Sequence, residues 1–74
     1  MELRVKINDN FFDELKNLTG VSNTTQLANE AFVFLRWAAN ESRKGRIIVS
    51  ENEDGSDEKQ VVMPSLEHAR SLTD

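Results

Sequence analysis

The 74-residue chain has no cysteine, so neither a disulfide framework nor a thiolate zinc site can add stability. Its single histidine, His68, excludes a histidine-rich metal site. No apolar run approaches the roughly 18 residues that a membrane span requires. The start, MELRVKIND, lacks the apolar stretch of a signal peptide. The expectation is a cytoplasmic protein with no membrane partner. No nucleophile–base pair, metal set or glycine-rich phosphate loop is present, which speaks against an enzyme and calls for no cofactor. What remains is a short chain, 38% hydrophobic and 30% charged. That balance suits a folded domain rather than an extended disordered one. A chain this small buries too little surface to be comfortably stable alone. With disulfides and metals excluded, oligomerisation is the expected remedy.

The net charge of −4 is unevenly placed. Residues 1–46 hold seven basic and six acidic residues, a net +1, while residues 47–74 hold two and seven, a net −5. The acidity belongs to the C-terminal part, and the first part has to be judged separately. Two regions are therefore expected. Residues 1–46 form one domain, and residues 47–74 an acidic extension with a hairpin at 47–63 and a flexible tail at 64–74.

Residues 2–8 alternate strictly. Leu3, Val5 and Ile7 share one face, and Glu2, Arg4, Lys6 and Asn8 the other. A period of two reads as a strand buried on one side. Asn8, Asp9 and Asn10 supply a helix cap, with Asp13 placed in the first turn. Phe11, Leu15 and Leu18 then mark a helix of about ten residues, which Gly20 ends. Ser22 is the favoured cap of a second helix, although Asn23 with Gln26 fits a capping-box spacing. Leu27, Ala28, Ala31, Phe34, Leu35 and Ala38 recur at steps of three and four, with Phe32 and Trp37 widening the stripe. This helix is expected to reach about Lys44 and stop at Gly45. Ile47–Val49 and Val61–Met63 read as two short strands around an Asp54-Gly55 turn. Pro64 closes the second, and Ser65 is the expected cap of a frayed helical turn or two.

The first strand has no local partner, because a helix follows it directly. In a symmetric dimer the same strand of a second copy pairs with it antiparallel. That step covers the strand's free backbone groups and joins two Leu3/Val5/Ile7 faces over four helices.

In this order and spacing the chain resembles the ribbon-helix-helix family, to which the Arc and methionine repressors belong. The resemblance rests on LRVKI, on NDNFFDELKNL, and on GVSNTT opening QLANEAFVFLRWAANESRKG, within residues 2–45 of the 74. It implies a mostly α fold with a short β-ribbon: an intertwined homodimer with an intermolecular two-stranded antiparallel sheet. The hairpin region looks like an extension found in some members. The implied function is sequence-specific binding of double-stranded DNA by a transcriptional repressor. Carried over by register, Glu2, Arg4 and Lys6 face the bases, and Ser22, Asn23, Thr24 and Thr25 grip the phosphates. Leu3, Val5, Ile7, Leu27, Ala31, Phe34 and Leu35 form the implied dimer core. Independently of the family, Arg and Lys are the commonest partners of guanine in the major groove, and a two-stranded ribbon fits that groove. Glu2 departs from a basic face and ranks lowest of the three. Two alternatives stand beside this reading. One is an antitoxin whose acidic C-terminal segment wraps a toxin protein. The other is a dimeric interaction module without DNA affinity.

Overall fold

The computed structural model describes residues 1–72. The fold is mostly helical, with three helices and one two-stranded antiparallel sheet among the described residues. It divides into two compact units, Met1–Glu30 and Ala31–Asp74.

In the first unit, residues 1–8 belong to neither helix nor ladder, and all are exposed. Helix α1 spans Asp9–Thr19. Asn8 caps it from extended backbone, its side-chain oxygen accepting the N–H groups of Asn10 at 2.8 Å and Phe11 at 3.3 Å. Asp9 is the acid in the first turn, where it favours the positive helix end. Asp13, expected there, falls one turn later and sits 4.0 Å from Lys16. Lys16 also lies 4.9 Å from the Phe12 ring centre. Gly20 ends the helix at φ 72°, a left-handed conformation open to glycine, and its N–H donates to the Lys16 carbonyl at 2.8 Å.

Helix α2 spans Thr24–Arg43. Its cap is Asn23, whose side-chain oxygen accepts the Gln26 N–H at 2.9 Å. The expected cap, Ser22, lies one residue too early: helical backbone begins at Thr24, so only Asn23 is three residues from the free Gln26 N–H. Leu27 is buried in the first unit, and Ala38 and Ser42 are buried in the second. Past the helix, Gly45 adopts φ 78° and donates to the Ser42 carbonyl. Arg46 then pairs with Glu41 at 2.9 Å.

Strands β1 (Val49–Ser50) and β2 (Lys59–Gln60) pair antiparallel, Val49 opposite Gln60 and Ser50 opposite Lys59. The hairpin lies where expected, but its ladder sits closer to the turn than Ile47–Val49 and Val61–Met63. Ile47, Ile48, Val61 and Val62 line a shallow cleft beside the ladder, and the Val61 N–H to Ile48 carbonyl bond, 2.7 Å, extends the pairing toward it. In the turn, Asp54 accepts the Ser56 N–H at 2.9 Å and the Ser56 hydroxyl at 2.5 Å. These two bonds, the hydroxyl's first, hold the Asp54 carboxyl below its ordinary pKa.

Helix α3 spans Pro64–Ser71. Segment 64–71 is thus helical with Leu66 and Ala69 buried, where a flexible tail was expected; Thr73 and Asp74 lie outside the described residues. Ser65 is not its cap. Met63 holds that position without a side-chain bond, and Pro64 opens the first turn, where its missing N–H costs nothing. Leu66, Glu67 and Arg70 face the cleft together with Ser42 of α2. The cleft encloses about 30 Å³, room for roughly one water, so it is a packing seam and not a ligand pocket. No helix among the described residues is long and apolar enough to cross a membrane.

Candidate nucleic-acid interface

Two groups of residues define the candidate interface, both within Met1–Glu30. The first is the N-terminal segment. Glu2, Arg4 and Lys6 are exposed, and so are the apolar residues between them, Leu3 at 56%, Val5 at 63% and Ile7 at 45%. Both faces of the alternating segment are therefore open in the protomer. Arg4 and Lys6 form no ion pair or side-chain hydrogen bond among the described residues. On ideal strand geometry they stand about 6.6 Å apart on one face. Two such segments paired about a two-fold axis would present a row of four cations.

The second group is the start of α2. Ser22, Asn23, Thr24 and Thr25 are all exposed. Thr24 and Thr25 occupy the first two helical positions, where backbone N–H groups have no intrahelical acceptor. Together with three hydroxyls they make a generic anion-binding surface. The Asn23 side-chain oxygen is engaged as the cap, and its amide N–H₂ takes no part in that bond. Sequence reading did not single out Thr19. Its hydroxyl donates to the Leu15 carbonyl at 2.9 Å and accepts the Val21 N–H at 3.2 Å, pinning the connection into α2. A threonine just before a helix-ending glycine was the available signal.

The remaining cations separate by their surroundings. Lys16 is drawn over Phe12 and toward Asp13, and Arg46 is held by Glu41. Of the implied dimer core, Leu27 is buried and Leu35 half-buried, whereas Ala31 and Phe34 are exposed along with Leu3, Val5 and Ile7. No group of His, Asp or Glu among the described residues is placed to hold a metal ion. No protein-family model, curated protein or solved structure matches the chain.

Proposed function

We propose that this protein binds double-stranded DNA sequence-specifically as a ribbon-helix-helix homodimer and acts as a transcriptional repressor in the cytoplasm. Residues 2–8 of two copies pair as the ribbon, Arg4 and Lys6 read guanine edges in the major groove, and Glu2 plays a lesser part. Residues 22–25 hold the flanking phosphates. The carrying observation is the strictly alternating segment itself, exposed on both faces, in a chain whose own sheet is made elsewhere, by residues 49–50 and 59–60. Free strand edges and an uncovered apolar face are best satisfied by a second identical segment.

The test is a fluorescence titration against genomic fragments, beginning with DNA flanking the protein's own gene. Wild type binds selected fragments with a log–log salt slope of about −0.9 per contacted phosphate. Arg4→Ala and Lys6→Ala each lose about 1–3 kcal/mol of discrimination between sites. Retained sequence preference in both variants overturns the reading. The antitoxin alternative in its flexible-tail form draws less support, because residues 47–71 carry a hairpin and a helix with Leu66 and Ala69 buried.

A further inference from the structure

The hairpin loop, residues 51–58, is exposed throughout and contains the dipeptide Asp54-Gly55. An aspartate followed by glycine is open to rearrangement of its own backbone. The Gly55 nitrogen can attack the Asp54 side-chain carbonyl carbon, Cγ, because a five-membered ring closes there. Glycine has no Cβ to hinder the approach.

Ring closure has two requirements. The Asp54 carboxyl must be protonated, so that its hydroxyl can leave, and the Gly55 amide must give up its proton. The folded turn works against both. Ser56 donates its hydroxyl at 2.5 Å and its N–H at 2.9 Å to Asp54 Oδ1. Such bonds favour the charged carboxylate, from which no hydroxyl leaves. The Asn52 side-chain amide donates to the Ser56 hydroxyl at 3.1 Å, which leaves the hydroxyl proton to Asp54. The Gly55 N–H meanwhile donates to the Asn52 carbonyl at 2.8 Å, and the Asn52 N–H to the Ser56 carbonyl at 2.9 Å. Asn52, Asp54, Gly55 and Ser56 thus form one bonded unit around the reactive peptide.

We propose that Asp54-Gly55 is a site of spontaneous covalent rearrangement, to a succinimide and then to isoaspartate, and that Ser56 guards it in the folded turn. The step needs no oxidant and no reactant besides water. The bond from Gly55 N to Asp54 Cγ forms and the Cγ–OH bond breaks. The amide proton and the hydroxyl depart as water. Water then opens the ring at one of its two carbonyls. Opening at Cγ restores aspartate. Opening at the former backbone carbonyl leaves isoaspartate, whose chain runs through the old side chain and is one backbone atom longer. Loop length fixes hairpin register. The ladder here is two residue pairs, Val49 with Gln60 and Ser50 with Lys59, so a longer loop loosens it. The folded hairpin slows the reaction and the product weakens the hairpin, so the change reinforces itself.

Ageing the full chain in warm neutral buffer, with and without guanidinium chloride, tests this. Isoaspartate is counted by labelling with an isoaspartyl methyltransferase. It is located by mass spectrometry of peptides cut before aspartate, because that protease passes over isoaspartate. Wild type gains isoaspartate at position 54, faster in denaturant than folded. In native buffer Ser56→Ala gains it faster than wild type, and Ser56→Thr, which keeps the hydroxyl, returns to the wild-type rate. Asp54→Glu gains none there, since its ring would need a sixth member. The Ser50 and Lys59 amide resonances show whether the ladder persists in each variant. Acceleration in Ser56→Ala with those resonances unchanged supports the guard. Acceleration only where the ladder is lost makes the whole hairpin the guard and overturns the role of Ser56. No isoaspartate at position 54 in denaturant overturns the site, and equal rates folded and unfolded overturn its protection.

Discussion

Replacing Asn23 by alanine removes the oxygen that accepts the Gln26 N–H at 2.9 Å and leaves α2 without a side-chain cap. Losing such a cap costs about 1 kcal/mol, within a usual range of about 0.5–2. Asn23 and Gln26 are exposed, so water can take over the freed N–H, which sets the cost toward the lower part of that range. For a domain of this size a loss of about 1 kcal/mol lowers Tm by about 4–8 °C. Thermal unfolding followed by circular dichroism reads the change, at one fixed protomer concentration because association shifts Tm by mass action. Ser22→Ala, one residue away and equally exposed, stays within about 0.5 kcal/mol of wild type. Asn23→Ser keeps a capping oxygen and restores most of the loss. It also removes the side-chain amide, so weaker DNA binding in this variant reports a phosphate contact apart from folding. Equal losses at Ser22 and Asn23, or a larger one at Ser22, refute the assigned cap.

Two further expectations concern the second unit. Leu66 is 5% exposed and lines the cleft, so Leu66→Ala costs about 2–5 kcal/mol in urea unfolding. Leu66→Met, which conserves volume, costs less than about 1.5 kcal/mol, and similar losses in the two variants would remove the packing explanation. Asp54 is held below its ordinary pKa by Ser56, so its carboxylate adds stability at pH values above the unfolded pKa. That contribution is lost as pH falls through the lower folded value. Ser56→Ala deletes the hydroxyl bond to the carboxylate, and an NMR titration of the Asp54 carboxyl then moves upward; an unmoved curve contradicts the assignment.

Much of the helical frame is readable from residue spacing, because helix ends are local chemistry. Asn8 and Gly20 bracket α1, and Gly45 follows α2, each marked by the residue type its conformation requires. The misplaced features arise where one residue type serves two purposes. Ser22 and Asn23 are both good caps, and only the position of the first helical residue decides between them. Pro64 closes a strand and equally opens a helix, so the helical turn or two expected after it was given Ser65 as its cap, although Pro64 itself already stands in the first turn. In the hairpin, Ile48 and Val61 have strand composition and are joined by one backbone bond of 2.7 Å, but the regular ladder is confined to Val49, Ser50, Lys59 and Gln60. Composition reports that a residue prefers a pleated, half-buried surface, not which neighbours supply it.

The same distinction governs the candidate interface. A helix closes its own hydrogen bonds, so periodicity in one chain suffices to specify it. A strand closes none of its own, and its pattern specifies only half of a structure. Residues 2–8 carry such a half pattern, with a coherent apolar face and a coherent charged face. The protomer's own ladder is made by residues 49–50 and 59–60, so the periodicity of residues 2–8 is legible in the sequence while what completes it is not.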